Sequence, residues 1–273
     1  MASEGAGDEA GPLSNNEPSS RRLFARLTPA EIGAEELLPG EVHVWYAFTD
    51  DLEDEDLLAA CEGLLDDGER ARHQRLLIDR VRHEHLITRA LARTTLSRYV
   101  PVAPEAWVFS RNEWGRPEVQ APVEARWLRF NLSNTRGLVA IALARDLEVG
   151  VDVELVDRKT EPLAIADRFF SESEVRALHA QAGEEAQRER FFAYWTLKEA
   201  YIKARGMGLA IPLGQFSFHL DESGPERVSF GPEIEDDPGG WHFWRERPSA
   251  RHRLAGAVRH PGARIRVRGA ARA

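Results

Sequence analysis

The chain has one cysteine, Cys61, in 273 residues. An intrachain disulfide and a cysteine-built metal cage are therefore excluded. Long hydrophobic runs are missing as well. The longest, Leu138 to Ala144, has seven residues, against the roughly 20 that a membrane-spanning helix needs. The first residues are acidic and small, with no basic stretch leading into an apolar one, so no secretory signal is expected. These absences point to the cytoplasm and to no membrane partner. Lysine is nearly absent too. Of 36 basic residues only Lys159, Lys198 and Lys203 are lysine. Two of the three share one short helix-like segment. Either this is chance, or a compact ammonium is required where a planar guanidinium will not serve.

What is present suits a globular protein. Hydrophobic residues make up 42% and charged residues 30%, enough for one large domain or two of usual size. The net charge of −9 opposes a generic nucleic-acid partner. That charge is uneven. Charges from Asp50 to Glu69 are almost all negative, and arginine dominates from Arg70 to Arg98, which leaves room for a local basic pocket.

Residues 1–20 read as a disordered leader without hydrophobic period. A β-rich segment, Val42 to Phe48, opens the ordered chain. Helical stretches follow at Leu57–Leu65 and Arg70–Tyr99, the second with a break expected near Leu76–Asp79. Trp107–Phe109 reads as a short strand. Trp127–Leu132 and Leu138–Ala144 read as a hairpin joined by a Ser133–Gly137 loop. The order then restarts. Val149–Leu155 is a strand, Ser171-Glu172-Ser173-Glu174 is a capping box, and a long helix runs from Arg188 to Ala204 before Gly206 and Gly208. Later strands fall at 216–220, 241–244 and 254–258. The two openings, at Glu41 and Glu148, lie about 107 residues apart. This predicts an α+β protein of two similar halves, residues 21–145 and 146–262. The basic tail, 263–273, is expected to be an edge strand or loose.

Asp152 and Glu154 alternate with Val151, Val153 and Leu155 along one predicted strand, so both carboxylates share a face. Spaced by roughly 7 Å at their Cα atoms, they suit one hard cation. The competing reading is a solvated strand edge. In the long helix, Trp195, Glu199 and Lys203 fall on one face. A surface Glu–Lys pair is worth only about 0.2–0.5 kcal/mol. Here aromatic and aliphatic residues surround Lys198, Glu199 and Lys203 on nearly every side. A helix that apolar is buried, so these charges line a pocket or meet partners. The Ser133–Gly137 loop suits an anion or is a plain turn. Arg72, Arg111 and Arg116 are phosphate clamps or solvated surface. His43, His73, His83 and His85 lack zinc-type spacing and read as structural or exposed.

Together and in order, Phe130-Asn131-Leu132-Ser133, Gly150-Val151-Asp152-Val153-Glu154, Arg168-Phe169-Phe170-Ser171, and Trp195-Thr196-Leu197-Lys198-Glu199-Ala200-Tyr201-Ile202-Lys203 resemble the 4′-phosphopantetheinyl transferases, in particular their large pseudo-dimeric branch. The resemblance spans residues 41–260. It implies two α+β halves related by pseudo-twofold symmetry with the active site between them. It also implies a reaction, the Mg2+-dependent transfer of the phosphopantetheine arm of coenzyme A to a serine of an apo acyl or peptidyl carrier protein. Asp152, Glu154 and Glu199 match metal ligands. Glu199 and Lys203 match the groups that deprotonate the serine or support that step. Arg72, Arg111, Arg116, Pro117 and Ser133 match the nucleotide and phosphate contacts. The family's usual histidine after that serine is Asn134 here, which hydrogen-bonds without carrying charge; weaker coenzyme A binding, or compensation by an arginine, is expected. A monomer is the natural state of two fused halves. A non-catalytic coenzyme A-binding module and a metal-dependent phosphodiesterase are the alternatives on the same fold. Which carrier is modified, and whether Glu199, Lys203 or a bound water is the base, stay open at this level.

Overall fold

The computed structural model describes residues 32–157, 161–220 and 226–269. The expected leader, Lys159 and the last four residues of the tail lie outside the described residues. The first half holds β1 (Glu41–Phe48), α1 (Glu55–Gly63), α2 (Asp67–Arg75), α3 (Asp79–Ser97), β2 (Val108–Arg111), β3 (Pro117–Ala121), β4 (Leu128–Thr135) and β5 (Leu138–Arg145). The second holds β6 (Val149–Leu155), α4 (Pro162–Phe169), α5 (Glu172–His179), α6 (Glu184–Arg205), β7 (Phe216–His219), β8 (Arg227–Phe230), β9 (His242–Ser249) and β10 (His252–Val258). A last strand, β11, spans Arg264–Gly269.

Local chemistry sets the helix ends. Asp54 caps α1 by accepting from the Leu57 N–H. Asp66 and Glu69 form a capping box on α2, and Ser171 and Glu174 form the expected one on α5. The basic helix breaks at 76–78, where Leu76 and Ile78 take extended backbone. Gly206, at φ 66°, ends α6 in a left-handed turn.

The architecture is mixed α+β. One sheet runs β11-β1-β5-β4 and the other β6-β10-β9, beside two ribbons, β2-β3 and β7-β8. β1 pairs antiparallel with β5, the second strand of a hairpin, and β6 pairs antiparallel with β10, the second strand of another. The two sheets bury a shared layer, with Val42, Val44, Ala140 and Ala142 on one side and Val151, Val153 and Leu254 on the other. Helix α3 covers the outer face of the first sheet through Leu86, Ile87, Ala90 and Leu91. Helix α6 covers the second through Leu197, Ala200, Tyr201 and Ala204.

One expectation changes. The hairpin loop is only Arg136-Gly137, because Gly137 takes φ 83° and allows a tight turn. Ser133, Asn134 and Thr135 therefore belong to β4 and do not form an anion-binding loop. Of the two readings of the basic tail, the edge strand holds through residue 269. β11 pairs parallel with β1, and Arg266 donates to the buried Glu41 at 2.7 Å.

Candidate active site

The site begins with a strand that has no backbone partner on one side. β6 pairs with β10 on one edge. Its other edge meets β4 through side chains. The Val151 N–H donates to Asn131 Oδ1 at 3.0 Å, and the Val153 N–H to Ser133 Oγ at 3.1 Å. Asn131 and Ser133 lie two apart on β4, so both reach the same way. This ties β6 to β4 and closes the edge. The carboxylates of β6 are accordingly not solvated, with Asp152 4% and Glu154 8% exposed.

Helix α6 lies directly over them. A Cβ added at Gly150 would stand 2.1 Å from the Ala200 carbonyl oxygen and 2.5 Å from the Ala204 nitrogen. Only glycine admits the helix this close. At one end of the contact the Trp195 indole N–H donates to Glu154 Oε1 at 3.0 Å. At the other, Lys203 Nζ donates to Asp152 Oδ1 at 2.7 Å and to Ser133 Oγ at 2.9 Å. Glu199 sits on the same helix face, one turn from each, and so lies between those anchors. Ser133 Oγ also donates to Asp152 Oδ1 at 3.0 Å. The second oxygen, Asp152 Oδ2, is buried without a hydrogen-bond partner. An orphaned buried carboxylate oxygen is costly, and a cation would satisfy it.

Lys198 does not reach this site. Its ammonium is fully buried against Glu174 at 2.8 Å and donates to the Leu213 and Phe216 carbonyls. Burial pushes its pKa down, with Glu174 opposing the fall. Lys198 meets partners and fixes α6 against α5 and β7.

Between α2, α3 and the β2-β3 ribbon lies a cleft of roughly 250 Å3 bordered by Arg72, Arg111 and Pro117, three of the expected nucleotide and phosphate contacts. It also includes His85 and Arg89, which the sequence reading missed. Their spacing of four on α3 was the available signal, since it puts both on one helix face. Arg89 Nε and His85 Nδ1 are buried without hydrogen-bond partners. The Arg89 Nε–H suits an anion, and His85 Nδ1 does so in the tautomer that carries its proton there.

Arg116 is placed differently. It donates to the Ala204 carbonyl at 2.9 Å and to Glu118 at 2.7 Å. With Asn112, which donates to the Gly206 carbonyl at 3.0 Å, it satisfies the end of α6. Arg116 and Pro117 also line a second, smaller cleft. Asn134 is exposed on β4, one residue from Ser133 and so on the opposite strand face. Among the described residues no three His, Cys, Asp or Glu side chains form a ready-made metal cage.

The model of the 4′-phosphopantetheinyl transferase superfamily matches residues 148–257. The chain is similar to 4′-phosphopantetheinyl transferase HetI of Nostoc sp., at 31% identity over 72% of this chain and 81% of that one. It is also similar to 4′-phosphopantetheinyl transferase Sfp of Bacillus subtilis, at 30% identity over 66% of this chain and 75% of that one. The chain belongs to the 4′-phosphopantetheinyl transferase superfamily. A further member, 4′-phosphopantetheinyl transferase ffp of Bacillus subtilis, is 34% identical over 58% of this chain and 70% of that one. The superfamily match contains β6 and α6, and with them Asp152, Glu154, Glu199 and Lys203.

Proposed function

We propose that the protein moves the 4′-phosphopantetheine arm of coenzyme A onto a serine of an apo acyl or peptidyl carrier protein, with Mg2+, releasing adenosine 3′,5′-bisphosphate. One observation carries this reading. Asp152 has one oxygen held by Lys203 and Ser133 and the other buried and unpartnered, beside Glu154 and Glu199 in a chain of this superfamily.

Asp152, Glu154 and Glu199 would hold the magnesium. The donor set is all oxygen, as this hard ion requires. Substrate phosphate oxygens and water would supply the remaining ligands. When bound, the ion neutralises charge on the diphosphate of coenzyme A. Glu199 takes the proton of the carrier serine, whose oxygen then attacks the β-phosphorus. The bond from that phosphorus to the bridging oxygen breaks, and the electron pair leaves on adenosine bisphosphate. Lys203 spends its ammonium on Asp152 and Ser133, so it orients the carboxylate and adds positive charge beside the diphosphate. The cleft of Arg72, Arg111, His85 and Arg89 takes a phosphate of the nucleotide, and Pro117 borders it.

The matching strand orders β1-β5-β4 and β6-β10-β9 support two halves, 21–145 and 146–262, related by a pseudo-twofold axis with the site between them. The protein would work as a monomer in the cytoplasm. Incubation with coenzyme A, Mg2+ and a panel of apo carrier domains, followed by mass spectrometry of the carriers, tests the function. A gain of one phosphopantetheine is expected. Binding of coenzyme A with no gain on any carrier would point to a binding module. Loss of coenzyme A without a carrier would point to a phosphodiesterase.

A further inference from the structure

The ribbon that carries Arg111 and Pro117 is thinly anchored. β2 and β3 form a two-stranded sheet of their own, and such a pair is marginal alone. At its base Phe109 packs edge-on against Phe130, at a ring separation of 5.5 Å, and Val119 is buried. At its tip Arg111, Glu113, Trp114 and Gly115 are exposed. Among the described residues, the hydrogen bonds that tie this tip to the rest of the molecule both run to the end of α6, from Asn112 to Gly206 and from Arg116 to Ala204.

Asn112 makes two kinds of bond. Its Oδ1 accepts from the Trp114 N–H at 3.0 Å and from the Arg116 N–H at 2.9 Å, which closes the turn. With the oxygen fixed by two donors, the amide nitrogen faces the other way. It donates to the Gly206 carbonyl at 3.0 Å, 94 residues along the chain. The receiving end is itself held. The Gly206 N–H donates to the Ile202 and Lys203 carbonyls, and the Lys203 ammonium is pinned on Asp152 and Ser133. One half-buried asparagine thus joins the ribbon to the last turn of the helix that bears Glu199 and Lys203.

We propose that Asn112 is a positioning residue for the transfer: its bond to Gly206 holds the ribbon at a fixed offset from Glu199 and Lys203. This deepens the proposed function and rests on it. In-line attack needs the diphosphate set between groups that come from the two elements. A ribbon free to swing would loosen both the seat of the nucleotide and its alignment on the base, so affinity and turnover fall together. Direct contact of Asn112 with the ligand would instead cost affinity alone. A purely structural role would cost folded protein alone.

Asn112→Asp isolates the bond. An ionised aspartate still accepts from the Trp114 and Arg116 N–H groups but has no N–H to give to Gly206. Asn112→Ala removes the same donor without adding charge. Both full-length variants are compared with wild type by melting temperature, calorimetric titration with coenzyme A, transfer kinetics, and hydrogen exchange of residues 108–121. In both, melting should stay within a few degrees of wild type and exchange across the ribbon should quicken. Coenzyme A affinity should weaken by about threefold and kcat should fall by about tenfold. Unchanged kcat or unchanged ribbon exchange overturns the assignment. So does a loss of affinity with kcat retained, or a fall in kcat that only follows the folded fraction. The carrier mass assay keeps the two readings separate. Wild-type transfer that both variants match sinks the inference alone; no transfer by wild type to any carrier sinks the proposed function.

Discussion

Gly150 and Ala200 are in contact so close that the smallest side chain at position 150 would strike the helix backbone, with a Cβ 2.1 Å from the Ala200 carbonyl oxygen. This approach brings Trp195 to Glu154 and Lys203 to Asp152. Gly150→Ala should push α6 away from β6. Overpacking of a tight core costs about 1–3 kcal/mol, occasionally more, and backbone rather than a flexible side chain must yield here. A fall in urea stability of about 3 kcal/mol or more is expected, together with loss of transfer. Unchanged stability would mean the helix is not held where it is drawn.

Asp152→Ala separates chemistry from folding. Lys203 is partly exposed and keeps Ser133 as an acceptor, so removal of the carboxylate does not strand a fully buried charge. The variant should retain its circular dichroism and melt within a few degrees of wild type while transfer falls at least a hundredfold. Near-normal turnover would remove Asp152 from the metal site.

Lys198 makes the opposite prediction. It and Glu174 are fully buried, and breaking such a pair from one side costs about 3–5 kcal/mol. Lys198→Met should lower urea stability by that amount. Glu174 keeps its bonds from the Ser171 and Phe218 N–H groups, which should hold α5 in place. A cost below about 1 kcal/mol would show that the pair is solvated in solution.

His85 also ties stability to acidity in the ligand-free protein. The folded ring is held near about 4 against an ordinary 6.5. Below 6.5 the unfolded chain takes the proton and the folded chain does not. The stability that this neutral ring contributes is therefore complete above that pH and is lost as pH falls toward 4. The melting temperature of wild type should drop more steeply across this window than that of His85→Gln. Parallel curves would mean that the ring titrates normally.

Arg72, Arg75 and Arg80 are exposed on α2 and α3 and would meet an acidic partner. If the carrier is acidic, kcat/KM for transfer should fall as ionic strength rises, chiefly through the association rate. A flat response would indicate that charge does not guide the encounter.

Most of the chain order of elements, the break in the basic helix, the capping box at Ser171 and the shared face of Trp195, Glu199 and Lys203 were legible, because each follows from local propensity or from a period of 2 or 3.6 residues; β3, α4 and β8 were not foreseen. The Asp152–Glu154 pair was legible as a pair but not as buried, since burial depends on what covers β6. Its cover is Asn131 and Ser133 from the other half and α6 from above. His85 read only as structural or exposed, and Arg89 drew no reading, because Arg72 and Arg111, which border the same cleft, come from α2 and β2.

The amino-acid order by itself thus determined the α+β composition, the superfamily motifs and which side chains share a strand or helix face. Only the tertiary structure decided that Lys198 is walled in against Glu174 while Lys203 reaches Asp152, and that Arg116 closes a helix end while His85 faces a basic cleft. The reason is physical: a face is set by backbone geometry within one element, whereas partner, burial and charge environment are set by elements brought together from distant parts of the chain.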